Sequence, residues 1–162
     1  MTVPAWLPKM ISVDGIWEDV IARLYEVFDK DFNIGRPCLS GIPVWWDRRI
    51  TDGSIYEEGF WHLISRRDDR TADRLLEPRR AERLPWCQPT LDHTDESAVK
   101  FWDSMEGRHR RTYVWLEYLD YVIVLEKRRQ KIGQVAFLIT AYHVDGRNRR
   151  ESLGRKYNKR IS

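Results

Sequence analysis

The sequence predicts an α+β fold. It reads as an N-terminal helix followed by a roughly four-stranded antiparallel sheet, in the order β-α-β-β-β, with helices packed on one face. Three observations predict this. Apolar residues recur at the helical period between Ile16 and Phe28. Three runs rich in β-branched and aromatic residues succeed one another between Arg111 and His143. Charged, proline-punctuated sequence lies between these regions and suits a helical crossover.

In chain order, Ile16, Trp17, Val20, Ile21, Leu24, Tyr25, Val27 and Phe28 form the apolar stripe of a helix, with Asp14 placed to cap it and Gly35 and Pro37 closing the stretch beyond it. Pro37 to Trp46 reads as extended, before a turn around Asp52, Gly53 and Ser54. Gly59 to Ser65 alternates, which predicts a strand with Phe60, His62 and Ile64 on one face. Arg66 to Glu77 reads as a charged loop, and Pro78 to Trp86 as a short helix with proline in its first turn. A second helix is expected over about Thr94 to Met105, with Val99 and Trp102 inward. The runs Arg111–Glu117, Tyr121–Glu126 and Gln134–His143 read as strands. Their short polar connections make antiparallel hairpins the economical topology. The tail from Gly146 to Ser162 reads as a short helix or a disordered arm.

With 162 residues, the chain is expected to be a single domain. Residues 1–57 form a helical and extended part, 58–145 the core and 146–162 a basic tail. Eight Trp, seven Tyr and five Phe supply enough large apolar surface to argue against a disordered chain. No apolar run approaches the roughly 18 residues of a membrane span, and Met1 to Lys9 lacks a secretory leader pattern. Cys38 and Cys87 are too few and too far apart for a disulfide scaffold or a zinc site. A reduced, cytoplasmic protein without membrane association is the expectation.

The net charge of +3 is unevenly spread. Residues 1–58 hold six basic against ten acidic side chains, whereas residues 127–162 hold eleven against two. Of the 28 basic residues 21 are Arg, whose planar fork binds phosphate in a bidentate fashion and stacks on bases. This points to a polyanionic partner, nucleic acid first, although a solvated charged surface explains the composition equally well.

The runs GFWHLISRR, RRAERLPW, RRTYVWLEYLDYVIVLEKRR and FLITAYHV together resemble small phage and prophage proteins of the RelE or barnase–EndoU–colicin-like ribonuclease superfamily. The resemblance covers roughly Glu58 to Val144. It implies a metal-independent endoribonuclease, a toxin or phage-defence effector that cleaves tRNA or mRNA, in some cases on the ribosome, by 2′-OH transesterification. An acidic antitoxin is then an expected partner.

Such chemistry needs a base for the 2′-OH, an acid for the leaving oxygen and cations around the phosphate. His62 is the first candidate for base or acid, against a purely structural histidine. Arg79, Arg80 and Arg83, at helical spacings of three and four, would form a phosphate clamp. Glu82 would pair with Arg79 or act as a second acid or base. Thr140 and Tyr142, two apart on the last strand, would orient the phosphate, with Leu138 on the same side and Ala141 and His143 on the other. Arg111 and Tyr113 share a strand face that suits RNA contact, whereas Trp115 reads as core. Arg155, Lys156, Lys159 and Arg160 would form an RNA-binding arm or merely a solubilising terminus. His93, His109 and His143 form no metal pattern, and HxxxH, CxxC, GxSxG and phosphate-loop motifs are absent. No cofactor or metal is expected. The rival readings are a non-catalytic RNA- or protein-binding module and a structural phage protein whose basic face meets an acidic partner.

Overall fold

The computed structural model describes residues 3–51 and 53–162, so the expected turn at Asp52 lies partly outside the described residues. The fold is α+β. In chain order it comprises α1 (Trp17–Phe28), β1 (Cys38–Leu39), β2 (Ile42–Trp45), α2 (Glu58–Ile64), β3 (Ser65–Arg67), β4 (Arg74–Leu76), α3 (Pro78–Ala81) and α4 (Leu84–Asp92). Beyond these lie β5 (Lys100–Glu106), β6 (His109–Leu116), β7 (Tyr121–Gln130), β8 (Gly133–His143) and α5 (Arg147–Asn158).

The N-terminal helix forms as the periodicity predicts and buries Val20, Ile21, Leu24 and Phe28. Ile16, not Asp14, occupies its N-cap, without a side-chain cap. A π-helical turn over Asp29–Ile34 extends it and buries Phe32. Phe28, Phe32, Trp46 and Phe60 then interlock at centroid separations of 4.9 to 5.8 Å.

The segment expected as a strand around His62 is the helix α2. Its buried residues Phe60, Leu63 and Ile64 fit the i, i+3, i+4 pattern, which tight packing favours over the seven-residue alternation. The first N–H groups of α2 are satisfied by the chain before it: Glu58 N donates to the Arg49 carbonyl and Gly59 N to that of Asp47, both at 2.8 Å. The segment expected as a loop after it contains the hairpin β3–β4. The helix expected over Thr94 to Met105 is largely the strand β5. Asp103 is buried there and accepts hydrogen bonds from Thr112 Oγ1 at 2.7 Å, Arg110 Nε at 2.8 Å and Lys127 Nζ at 2.9 Å.

The sheet therefore has six strands, ordered β1-β2-β8-β7-β6-β5, in place of four. It is mixed, because β2 runs parallel to β8. Its helices occupy both faces. The larger core joins α1, α2 and α4 to Val114, Leu116, Ile123, Leu125, Leu138 and Ala141. On the opposite face α5 lays Leu153 and Tyr157 over Trp102, Tyr113, Trp115, Val122 and Val124. The basic tail is thus an ordered helix that completes a second core.

Two features of β8 position the site. Thr140 pairs with Val124 but Leu138 pairs with Leu125, so Ile139 is an extra, bulged residue. The bulge breaks the alternation and turns Leu138 to the larger core with Ala141, away from the side expected from spacing. In addition, β2 pairs with β8 only at Val44–Ala136 and Trp45–Phe137. Among the described residues, the C-terminal half of β8 has no strand on that edge, and α2 and α3 pack beside it.

A methyl group on Gly59 would sit 2.7 Å from Trp46 Cδ1, whereas one on Gly154 of α5 meets nothing within 4 Å. Gly59→Ala is expected to cost about 1–3 kcal/mol through overpacking. Gly154→Ala is expected to stabilise by roughly 0.5–1 kcal/mol through helix propensity. Urea unfolding midpoints that move in opposite directions would show both.

Candidate functional site

The open edge of β8 gathers residues from three distant stretches of chain. Arg80, on α3, reaches across α2 to the sheet. Its Nη1 donates to the carbonyl oxygens of Ser65 at 2.8 Å and His62 at 3.1 Å and lies 3.3 Å from Thr140 Oγ1. Thr140 Oγ1 in turn donates to the His62 carbonyl at 3.0 Å. The last carbonyls of a helix carry partial negative charge and lack intrahelical partners, so a guanidinium is a fitting cap for the end of α2. Arg80 also lies over the Tyr142 ring, 5.9 Å from its centroid.

This knot forms one wall of a cleft of about 380 Å³. The floor is Thr140 and Tyr142, and α5 supplies Arg149, Ser152 and Lys156 opposite. Arg149 also lines an adjoining cleft of about 720 Å³ that contains Arg66, Arg79 and His143. The two share Arg149 in their linings, with arginines on both sides. Glu77 and Asp145 are the carboxylates of the larger cleft, and the smaller has none among the described residues.

The expected site residues divide accordingly. Arg80, Thr140, Tyr142 and Lys156 come together in the smaller cleft, and Arg79 lines the adjoining one. The backbone of His62 joins them, but its ring belongs to a neighbouring cluster. There the buried Glu58 binds Arg67 at 3.1 Å and Arg74 at 3.0 Å. Burial, and then the Arg74 charge, hold the His62 imidazole below its usual value, against the weaker pull of Glu58 and Asp47. The ring is therefore neutral at pH 7, and its Nδ1 is buried without a hydrogen-bond partner.

Arg83 does not share a helical face with Arg79 and Arg80, because α3 ends at Ala81 and Arg83 is the N-cap of α4. Arg83 Nη1 donates to the Arg79 carbonyl and to Glu82 Oε1, both at 2.8 Å, and the guanidinium lies over Trp86. Tyr113 is buried beneath α5, stacked on Trp102, and accepts a hydrogen bond from Lys156 Nζ at 2.9 Å, so it offers no face to a base. Arg111 lies on the same sheet surface with its guanidinium 3.5 Å from Glu126. Arg155 is exposed and lines a shallow groove with Lys156 and Lys159.

Two cleft residues carry no signal in the sequence that would single them out. Arg149 sits in a run of tail arginines without periodicity. His143 ends a strand and belongs to no metal pattern. In the fold it lines the larger cleft, where burial and the Arg83 and Arg79 charges hold its imidazole below the usual value. Trp115 is core, as expected. His93 stacks on Trp6, and His109 lies 3.3 Å from Glu126.

Among the described residues no cluster of three or more His, Cys, Asp or Glu side chains could hold a metal ion, and no helix is long and apolar enough to cross a membrane. Comparison with protein-family models, with curated proteins and with solved structures gave no match.

Since folding lowers the His62 and His143 affinities for protons, the unfolded chain binds more protons below the ordinary histidine value of 6.5. The stability associated with the neutral rings is complete above that value and is lost as pH falls through it toward the folded-state values. The urea midpoint of the wild-type protein is expected to drop between about pH 7.5 and pH 5.5, and to drop less in His62→Gln. Equal slopes for the two proteins would show that the ring titrates normally.

Proposed function

We propose that this cleft binds RNA by its phosphodiester backbone and cleaves it without a metal ion. The observation that supports the reading is the knot of Arg80, Thr140 and the end of α2, faced across the cleft by Arg149 and Lys156. Three cations and three hydroxyl side chains around a space lined by no carboxylate among the described residues fit a phosphate and would stabilise the charge that grows on it in the transition state.

In the reaction the ribose 2′-oxygen forms a bond to phosphorus as the bond from phosphorus to the 5′-oxygen breaks. The 2′-OH proton passes to a base, and the leaving oxygen takes a proton from an acid. The products are a 2′,3′-cyclic phosphate and a 5′-hydroxyl. His143, on the wall of the adjoining cleft and held below the usual histidine value, is the candidate for proton transfer, because the His62 ring lies in the Glu58 cluster and not in the cleft lining. Tyr142 and Thr140 orient the phosphate. Arg80 and Arg149 hold it, in place of the Arg80 and Arg83 pair that helical spacing suggests. A metal-independent endoribonuclease of this kind fits a toxin or phage-defence effector acting on tRNA or mRNA in the cytoplasm, held in check by an acidic antitoxin.

One observation favours a second reading, an RNA-binding module without catalysis. The ring of His62, the base expected from the sequence, lies in the Glu58 cluster, and its Nδ1 has no group to orient it, whereas a working base is normally held by one. Incubation with total RNA in EDTA separates the two. The enzyme is expected to leave cyclic-phosphate ends and to lose about 100-fold or more of its rate in His143→Ala with affinity nearly unchanged. Arg149→Gln is expected to weaken binding for all sequences and to reduce the salt slope by about 1. RNA that is bound in a salt-sensitive way but stays intact supports the module.

A further inference from the structure

We infer that the partly exposed part of the sheet beside α5 is a base-stacking platform that receives the unpaired bases of an RNA strand whose phosphate lies in the arginine cleft. This rests on the RNA-binding reading above and extends it to a second set of residues.

α5 covers the sheet over β5, β6 and the start of β7, and beyond it Trp45, Phe137 and Arg128 are partly exposed while Val135 is buried. On it, Phe137 of β8 and Trp45 of β2 are register partners, so their side chains stand next to each other on one surface. Leu138 and Ala136, on either side of Phe137, point into the larger core, which fixes Phe137 outward on the α5 side. Trp45 is 36% exposed although the protein buries most of its other tryptophans. A 36%-exposed indole whose register neighbour is a partly exposed phenyl ring is an aromatic site that the fold leaves partly uncovered.

The surrounding charge has the sign a nucleic acid requires. The Arg128 guanidinium lies over Phe137 at 3.9 Å from the ring centroid. The carboxylate on that surface, Glu126, is shared among Arg128 at 2.9 Å, His109 at 3.3 Å and Arg111 at 3.5 Å, leaving a cationic excess. On its other side Trp45 borders a pocket of about 480 Å³ that holds Arg36 and Arg48 and no carboxylate. These two arginines stand in the half of the sequence that is acidic overall. An acidic peptide would find the guanidiniums but would leave the aromatic faces unused. Flat bases joined by phosphates use both.

The platform is continuous with the cleft. From Tyr142 through Thr140 and the bulged Ile139 to Phe137, β8 covers about 15 Å, the span of a few nucleotides. A strand anchored at Arg80, Arg149 and Lys156 can therefore run down β8 toward Trp45. Such a path selects single-stranded RNA, because a duplex hides its base faces.

The test is fluorescence anisotropy with a labelled 12-nucleotide oligouridylate, the same strand with abasic sites, and polyglutamate. Trp45→Ala is expected to weaken oligouridylate binding about ten-fold, the usual loss of one stacked base, with an unchanged salt slope. Trp45→Tyr is expected to retain most of the affinity, which separates stacking from a folding defect. The abasic strand is expected to bind wild type and Trp45→Ala alike. Wild-type binding to oligouridylate that is indifferent to Trp45→Ala overturns the platform while leaving the cleft reading intact. Wild type that binds polyglutamate but neither strand overturns both.

Discussion

The structure depends on how the open edge of β8 is closed. A strand edge exposes backbone groups to unwanted pairing, and a helix end exposes carbonyls that no turn satisfies. Here the two face each other, with the end of α2 against the C-terminal half of β8. Arg80 and Thr140 bridge them. If Arg80 were removed, the Ser65 carbonyl would lose its 2.8 Å donor and the His62 carbonyl one of its two, at a cost of about 1–3 kcal/mol for each group left unsatisfied in a buried setting. The same guanidinium faces the cleft. A group held by backbone on one side and open to solvent on the other is pre-organised for an anion, because its rotamer entropy is already lost.

The charge pattern reflects which cations are already occupied. Arg67 and Arg74 are held by Glu58, Arg110 and Lys127 by Asp103, and Arg111 and Arg128 by Glu126. Among the described residues no carboxylate pairs with Arg79, Arg80 or Arg149, and these are cleft residues. A net charge of +3 therefore understates the local field. The polyanion signal lies in the unpaired subset and not in the total.

How far the fold and the site are legible in the sequence varies with the locality of each feature. The strands β6, β7 and β8 are clear, because β-branched runs joined by short turns leave little else to form. The helix α1 is clear from its period. The helix α2 is not, because Gly59 to Ser65 is apolar on almost every side and its alternation competes with a 3.6 period over too few residues to separate them. β5 is hidden by Asp103, a carboxylate that only tertiary donors make tolerable inside a sheet. The convergence of Arg80, Thr140 and the end of α2 can be guessed from residue types, but the neighbourhood of the His62 ring cannot. The parallel contact of Trp45 with Phe137 and the bulge at Ile139 leave no local trace, since both are set by pairing between stretches far apart in the chain.

The tail shows why a site and a fold cannot be apportioned separately here. A tail of seven basic residues against one acidic reads as an appendage whose loss would reduce only affinity. In the fold, Leu153 and Tyr157 of that same segment cover Trp102 and Trp115, while Arg149 and Lys156 on neighbouring turns face the cleft. Lys156 links the two roles. It binds Glu106 at 2.7 Å and Tyr113 at 2.9 Å on the side of the second core, and it stands across from Arg80 on the other. An arm that is merely electrostatic gains nothing from being ordered before its ligand arrives. A helix that must bury two tryptophans is ordered in any case, so its cations are held at the cleft without a further entropic cost, and the second core is what fixes their geometry.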